Sequence, residues 1–441
     1  MELLTGNIRR LYLKYLAASF GSTLISSIYS IVDMSMVGQY QGPDGTAALA
    51  VIAPIWNVIY SLGLLTGIGG SVLFSTCRGR KDGDENQYFT AAAMLSLVLA
   101  LAAWAALWLW EAPILTFFGA NETLLPLALN YMRPIRYVFP LFLLGQLLTV
   151  FLRNDGNPGL ATASVLAGGV FNVFGDYFCV FTLDLGVYGA GLATAMGCTV
   201  SFLVMLTHFF RRKNTLRWVR VEKPLQKFRE IGVNGFSTFF IDVAMGILTV
   251  LFNRQTMKYL NADALAVYGV IINVSTFVQC CAYSVGQATQ PIMSVNFGAG
   301  STARIRRLLR CALYTTTAFG VFWTALSFAC PNLYIRVFMK PTENILAMAP
   351  GIIRRYAASF LLLPFNIYST YYFQVILKPG AAFIVSVARG LVVSGLLILL
   401  LPAAFDAQAL WFAMPITELL VAVYAAARMR SDTRALPASK T

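Results

Sequence analysis

The chain alternates long apolar segments with short polar ones along almost its whole length. About twenty consecutive apolar residues cross the hydrocarbon core of a bilayer as a helix, and stretches of that length recur between brief polar interruptions. The pattern therefore predicts twelve transmembrane helices, at approximately residues 11–38, 46–76, 88–110, 124–152, 159–182, 186–210, 228–254, 262–297, 305–330, 344–376, 380–402 and 407–427.

The composition agrees with this pattern. Of the 441 residues, 58% are hydrophobic and only 12% are charged, whereas a soluble domain carries roughly a quarter charged residues. We therefore expect an all-α membrane protein without a large soluble domain. The apolar run that follows the N-terminus contains no small-residue cleavage site, so we expect the first helix to remain in the mature chain.

The net charge of +14 indicates how the chain is oriented in the membrane. With a cytoplasmic N-terminus, most of the basic residues fall into cytoplasmic segments, as the positive-inside rule requires. Both termini are then expected in the cytoplasm of a multi-pass protein of the cell membrane. The charge gives no reason to expect a nucleic-acid partner; the expected partners are the lipid bilayer and small molecules, and the expected state is a monomer.

An internal repeat divides the chain into two halves. A shift of 216 residues places Ala48–Val51 on Ala264–Val267, and a shift of 221 places Arg133 on Arg354 and Pro158–Gly159 on Pro379–Gly380. Six spans separate the copies, so the halves have the same orientation. We expect two parallel, pseudo-twofold-related six-helix lobes, residues 1–215 and 216–441, with substrate bound at their interface.

Ionisable residues within spans are costly and indicate function by default. At 1.5 Å per helical residue, Asp33 and Asp176 lie roughly 28 and 27 Å above the cytoplasmic face. Asn172 lies one turn below Asp176 on the same helix face, and Thr194 descends to a similar level. We therefore expect Asp33, Asn172, Asp176 and Thr194 to converge within the first half.

This oxygen set permits two chemistries. Carboxylate, amide and hydroxyl oxygens suit a hard cation such as Na⁺, and two carboxylates in a medium of low dielectric can instead act as a proton acceptor. The sequence leaves H⁺ and Na⁺ open as coupling ions and predicts no other cofactor or metal. The structural alternative is that Asp33 caps the first span while Asn172 bonds across helices.

The second half carries a separate charged cluster. Asp242, Arg389 and Glu418 lie roughly 16 to 20 Å deep by helical rise. A buried Arg needs a partner, so we expect Arg389 to pair with Asp242 or Glu418 and to leave the other carboxylate for a cation or proton. A purely structural ion pair is the alternative.

The tenth span is rich in aromatic residues that could accept cationic ligands on their ring faces. Lipid contact or core packing is the alternative for these side chains. The candidates for a substrate wall are Phe365, Tyr368, Tyr371 and Tyr372.

Motifs for catalysis are missing from the sequence. The seven cysteines show no CxxC spacing, and His208 is the only histidine, which we interpret as an interfacial residue rather than a metal ligand or proton relay. No nucleophile, base or metal cluster occurs at matched depth. We therefore expect that the protein is not an enzyme.

Several segments carry a family resemblance. They are IVDMSMVGQ (Ile31–Gln39), FLRNDGNPGLAT (Phe151–Thr162), FNVFGDYF (Phe171–Phe178), GVYGAGLAT (Gly186–Thr194), GQATQPIMSVNFGAG (Gly286–Gly300) and YFQVILKPG (Tyr372–Gly380). Over essentially its whole length, the chain resembles bacterial members of the multidrug and toxic compound extrusion (MATE) family.

The resemblance implies a secondary active efflux transporter. It implies twelve helices in two lobes, and antiport of organic, often cationic and amphipathic compounds against H⁺ or Na⁺ by alternating access. The family's first-lobe cation site falls on Asp33, Asn172, Asp176 and Thr194, and the acid that some members carry in the seventh helix falls on Asp242. The acid of the tenth helix in certain branches is replaced here by Asn366 and Ser369.

Two other functions fit parts of the sequence. A flippase for lipids or lipid-linked oligosaccharides needs a more cationic lumen, and the basic residues at or within helices keep that alternative open: Arg133, Arg136, Arg354, Arg355 and Arg389. The second alternative is a channel or ligand-binding receptor without a coupled cycle. Counterflow discriminates the two, because preloaded substrate accelerates exchange through a carrier and does not do so through a channel.

Overall fold

The structure is a computed structural model that describes residues 2–339 and 341–436. Within these residues, twelve helical spans are long and apolar enough to cross a bilayer. The predicted all-α, twelve-helix architecture is confirmed. In chain order the spans are α1 (Ile8–Gln41), α2 (Asp44–Arg80), α3 (Glu85–Phe117), α4 (Leu124–Asn154), α5 (Pro158–Thr182), α6 (Gly186–Phe210), α7 (Pro224–Tyr259), α8 (Ala262–Gly298), α9 (Thr302–Ala329), α10 (Glu343–Val375), α11 (Pro379–Ala404) and α12 (Ala407–Ala435). Short helices also occur at Glu2–Thr5 and Pro331–Phe338.

Two spans contain π-helical turns. In α5, the α-helix Pro158–Asp176 continues as a π-helix over Tyr177–Thr182. In α11, a π-helix over Ala388–Val392 separates the α-helices Pro379–Val387 and Val393–Ala404. Such turns are rare and occur often at functional sites. One follows Asp176 directly, and the other contains Arg389.

The described residues divide into two compact units. The first contains Ala17–Phe239 and the N-terminal residues up to Leu3, and the second contains Leu4–Leu16 and the described part of Phe240–Thr441. The start of α1 therefore packs with the second unit. There Tyr12 donates a hydrogen bond to Thr315 Oγ1 (2.7 Å), and Arg304 Nη2 donates to the carbonyl oxygen of Gly6 (2.9 Å). The division of the sequence at residue 215 stays a prediction.

The turn before α5 and the turn before α11 have the same backbone geometry. Gly156 and Leu377, which are 221 positions apart, both adopt a left-handed conformation, with φ of +81° and +56°. The next residue in each turn, Asn157 or Lys378, donates its N–H to the carbonyl five residues earlier, at 2.9 and 2.8 Å. The repeated geometry at the predicted offset supports the duplication.

Glycines bring α4, α5 and α6 of the first unit into backbone contact. A Cβ on Gly191 of α6 would lie 2.0 Å from the carbonyl oxygen of Tyr131 on α4. Gly168 of α5 and Gly197 of α6 face each other, and a Cβ on either would lie 2.6 Å from the other's carbonyl oxygen. Close helix contacts in membranes use small residues in this way. Thr194, one turn from both α6 glycines, is thereby held beside α4 and α5.

We expect Gly191→Ala to destabilise the first unit by about 1–3 kcal/mol, since overpacking a tight contact forces the backbones apart. The matched control is Gly145→Ala on α4, where a Cβ would meet no heavy atom within 4 Å and helix propensity improves by up to about 1 kcal/mol. Thermal unfolding in detergent measures both variants. Equal shifts for the two would contradict the contact at Gly191.

Candidate functional site

Three of the four predicted first-half residues lie in one hydrogen-bonded group. Asn172 Nδ2 donates to Thr194 Oγ1 at 3.1 Å. Tyr131 of α4 connects this pair to α1, because its hydroxyl donates to Asp33 Oδ2 at 2.7 Å and lies 3.2 Å from Thr194 Oγ1. The group therefore joins α1, α4, α5 and α6. We refer to it, together with Asp176, as the oxygen site.

Asp176 completes this arrangement from the next turn of α5. Its side chain is fully buried, four residues beyond Asn172 on the same face of the helix. No hydrogen-bond donor among the described residues reaches either of its carboxylate oxygens. Asp176 is therefore a buried acid whose counter-charge is not supplied by a neighbouring side chain.

The oxygen site has four buried oxygen atoms without a donor in the described part of the chain. They are Oδ1 of Asp33, Oδ1 of Asn172, and both carboxylate oxygens of Asp176. A buried polar atom without a partner costs free energy, all the more when it is charged. Oxygen acceptors at one place, two of them on carboxylates, can be satisfied by a hard cation or by protons.

The residue that sequence reasoning missed at this site is Tyr131. It is an uncharged residue within an apolar span and is 2% exposed, so no charge distinguishes it in the sequence. The only signal was indirect: the GAG sequence of Gly189–Gly191 indicates that α6 closely approaches some other helix. Which helix it meets follows only from the structure.

The second-half candidates divide into two groups. Arg389 Nε donates to Glu418 Oε1 at 2.8 Å, and Asn366 Nδ2 donates to Glu418 Oε2 at 2.6 Å. Of the two carboxylates predicted as partners, Glu418 is the one that pairs with Arg389. Asp242 instead accepts a hydrogen bond from the hydroxyl of Tyr283, at 3.4 Å.

The aromatic residues of α10 lie mostly inside the second unit. Tyr368, Tyr371 and Tyr372 are at most 2% exposed, and Phe365 is partly buried. The hydroxyl oxygen of Tyr372 lies 2.6 Å from Thr433 Oγ1, within hydrogen-bond distance. Their role as a substrate wall stays a prediction.

A second polar cluster, at the end of the first unit where α4 ends and α5 begins, was also missed. Asp155, in the turn between α4 and α5, forms a 3.0 Å ion pair with Arg78 and lies 2.7 Å from His208 Nε2. It also accepts hydrogen bonds from the backbone N–H and the hydroxyl of Thr215. We call these residues, with Asn157, the Asp155 cluster. His208 is fully buried within it, and its position at the depth of the membrane interface stays a prediction.

The hydrogen bonds define the state of His208. Because a carboxylate only accepts, Nε2 carries the proton that faces Asp155. Nδ1 lies 3.2 Å from the amide nitrogen of Asn157 and is the acceptor there. Burial by itself would raise the pKa of Asp155, but the bonds from His208 and Thr215 and the charge of Arg78 together lower it below 3.8.

Among the described residues, no group of three or more His, Cys, Asp or Glu side chains is arranged to hold a metal ion. Twelve candidate spans, with a buried oxygen site within the first unit, are typical of an integral membrane transport protein.

Comparison with known proteins identifies the family. A family model described as MatE matches residues 18–178 and 236–399, which is more than half of the chain. The chain therefore belongs to the MatE family, whose members are transporters and not enzymes. The resemblance to MATE proteins is confirmed.

Relatives and solved structures agree with this membership. "Multidrug export protein MepA" of Staphylococcus saprophyticus is 25% identical, over 84% of this chain and 82% of its own. "Probable multidrug resistance protein YoeA" of Bacillus subtilis is 24% identical, over 74% and 72%. Twelve candidate spans and bacterial relatives imply a multi-pass protein of the plasma membrane.

The fold is shared with solved MATE structures. An outward-facing multidrug resistance MATE family transporter of the MOP superfamily matches with a TM-score of 0.91 at 18% identity, over 99% of this chain and 98% of its own. A MATE in the bent conformation matches with a TM-score of 0.88 at 19% identity, over 99% and 97%.

We expect Asp155→Asn to destabilise the first unit by about 3–5 kcal/mol, because it leaves Arg78 buried without its counter-charge. Asp82→Asn, on the exposed turn after α2, is the matched control. The folded-state pKa of Asp155 is lowered, so its contribution is complete above the ordinary value of 3.8 and is lost as the pH falls through the lower folded value.

Thermal unfolding in detergent, measured from neutral pH to below the ordinary pKa of aspartate, tests this. The difference between wild type and Asp155→Asn should shrink toward zero at the acid end. A difference that stays constant across this range would refute the ion pair as its source.

Proposed function

We propose that the protein exports organic compounds from the cell and that export is driven by the entry of H⁺ or Na⁺ at the oxygen site. The observation that carries the proposal is the set of four buried oxygen atoms without donors at Asp33, Asn172 and Asp176. In hydrocarbon, a polar group without a partner is costly, and a cation or proton removes that cost. Ion binding at this site can then couple the ion gradient to transport.

The hydrogen bonds at the oxygen site support a coupling role over a purely structural one. If Asp33 were a helix cap, its oxygens would accept backbone N–H groups. Asp33 Oδ2 instead accepts from the hydroxyl of Tyr131 on another helix, and Oδ1 has no donor among the described residues. A structural bond across helices explains the Asn172–Thr194 pair, but it does not explain the unsatisfied carboxylate of Asp176.

Coupling requires that the ion favour one conformation. A ligand shifts a conformational equilibrium only by its differential affinity for the two states. The oxygen site takes its side chains from four helices and adjoins the π-helical turn that begins at Tyr177. A small movement of α1 or α5 would therefore change the coordination of the ion. We propose that ion binding stabilises the state that releases substrate outward, and that ion release on the cytoplasmic side resets the cycle.

The substrates we propose are small amphipathic organic compounds, often cationic. The named relatives MepA and YoeA are described as multidrug export and multidrug resistance proteins, and their names favour export of such compounds over the flippase alternative. Acidic side chains at the oxygen site are also more suited to cations than to anionic lipid headgroups. We further propose that both termini are cytoplasmic and that a single chain completes the cycle.

We expect Asp33→Asn and Asp176→Asn each to lower gradient-driven efflux by at least about tenfold, in line with the loss of affinity on altering a single group at an ion site. Each substitution keeps the shape and removes a charge. The control is Asp44→Asn, an exposed carboxylate at the start of α2. Efflux is measured with a fluorescent cationic drug in everted vesicles, and undiminished coupled transport in Asp33→Asn would remove this residue from the mechanism.

The coupling ion is identified in proteoliposomes by imposing H⁺ and Na⁺ gradients separately. If Na⁺ is the ligand, a Na⁺ gradient alone drives transport and Tyr131→Phe weakens the apparent Na⁺ affinity about tenfold, since loss of an outer-shell partner has that typical effect. If protons are the ligand, only the pH gradient drives transport. Equal downhill flux without either gradient, and no acceleration by preloaded substrate, would identify a channel.

A further inference from the structure

The connection between α6 and α7 is held against α3. Residues 210–223, which we call the linker strap, comprise the last residue of α6 and the connection to α7, and they lie in the first unit. From residue 211 to residue 223 the strap forms no helix or strand. The backbone N–H of Arg217 donates to Asn86 Oδ1 (2.9 Å), that of Val219 to Thr90 Oγ1 (3.1 Å), and that of Glu222 to Gln87 Oε1 (3.0 Å). A solvated loop would not require these bonds. The strap has a fixed position on the first turns of α3.

A second anchor lies at the start of the strap. Thr215 is bound through both its backbone N–H and its hydroxyl to Asp155. The next residue, Leu216, is 3% exposed and packs into a core cluster with Phe74 and Phe89. The four residues that follow Leu216, residues 217–220, are all exposed.

The outer face of the strap is strongly basic. It contains six basic residues and a single acidic one, Glu222, and all seven are exposed. The basic residues are Arg211, Arg212, Lys213, Arg217, Arg220 and Lys223. The positive-inside rule explains on which side of the membrane these charges lie, but a disordered loop of the same composition would satisfy that rule equally well.

Two exposed aromatic side chains accompany the charges. Trp218 packs against Phe89 in a tilted arrangement, with ring centroids 5.6 Å apart, yet it remains 66% exposed. Phe210 is 89% exposed. Phe89 is only about one helical turn, or roughly 6 Å, from the start of α3. Because α3 is a candidate span, we expect Trp218 at the depth of the membrane interface, where Trp side chains concentrate because one part of the ring is apolar and the other is polar.

We propose that the linker strap is a binding surface for the headgroups of anionic phospholipids in the cytoplasmic leaflet. Clusters of four to eight Lys or Arg residues directly cytoplasmic of a transmembrane helix attract such lipids. Here the strap fixes the charges at the interface, and Trp218 and Phe210 extend into the acyl boundary. The anchoring at Asn86, Thr90 and Asp155 removes much of the entropy cost that a mobile loop would incur on binding.

Trp218 makes the proposal measurable, because bromine atoms on a lipid chain quench only nearby Trp fluorescence. The full-length protein is reconstituted in phosphatidylcholine vesicles that contain equal mole fractions of either brominated phosphatidylglycerol or brominated phosphatidylcholine. The contribution of Trp218 is the difference between wild type and Trp218→Phe. We expect a preference for the anionic lipid of roughly fivefold or more, the equivalent of a single basic residue at an anionic surface, and we expect salt to weaken it.

Matched charge variants locate the surface. Arg211→Gln, Arg212→Gln and Lys213→Gln, combined in one chain, should abolish most of the preference, whereas replacing both Arg211 and Arg212 by Lys should retain it. The control removes three exposed basic residues at the start of α9, by Arg306→Gln, Arg307→Gln and Arg310→Gln. It should leave quenching of Trp218 unchanged.

Three outcomes overturn the proposal. Equal quenching by the two brominated lipids removes the specificity for anionic headgroups, and an equal loss in the control variant reduces the effect to net charge. Absence of quenching of Trp218 by either lipid places the strap away from the membrane and directs the search to a soluble acidic partner. Monodisperse elution in detergent and an unchanged unfolding temperature verify that each variant is folded. None of these readouts depends on drug transport.

Discussion

The structure depends on one constraint of the hydrocarbon environment, which is that every buried polar group must find its partner within the protein. Hydroxyl groups in the spans follow it by bonding to a carbonyl one turn earlier, as Ser26 does to Ser22 and Thr199 to Ala195. The carboxylate of Asp176 does not follow it. Other buried atoms of the first unit also lack a donor among the described residues, but Asp176 is the one carboxylate there for which this holds at both oxygens. This departure favours the oxygen site as the place where an ion or proton binds.

Close packing and chemistry are linked at the oxygen site. Gly191 lets α6 touch α4 at the carbonyl of Tyr131, so the same contact that removes space between helices also brings the Tyr131 hydroxyl to Thr194 and Asp33. Movement of one helix cannot then leave the oxygen geometry unchanged. A site shared by four closely packed helices is therefore suited to convert ion binding into a change of conformation, which a site on one helix would not be.

The sequence predicted those features that depend on fixed helical dimensions. Hydropathy indicated the spans. The constant rise per residue placed Asp33 and Asp176 at one level and Asn172 and Thr194 about one turn below, and the structure joins Asp33, Asn172 and Thr194 through hydrogen bonds by way of Tyr131. Features that depend on long-range packing were not accessible. Tyr131 has no charge to distinguish it in a span. The turn at Asp155 meets His208 only because the end of α4, the start of α5 and the end of α6 lie together. The packing of the first helical turns with the second unit is of the same kind.

The two halves carry different residues at equivalent positions of the repeat. At the offset of 221 that relates the starts of α5 and α11, and also of α6 and α12, Arg389 and Glu418 correspond to Gly168 and Gly197. In the first unit these positions are the glycines through which α5 and α6 touch. In the second unit an ion pair of 2.8 Å occupies them, while Asn172 and Asp176 correspond to Val393 and Leu397. In the first unit, α5 and α6 therefore join by backbone contact, and the oxygen site lies one helical turn away. In the second unit, a buried charge pair joins α11 and α12, and the residues one turn away are apolar.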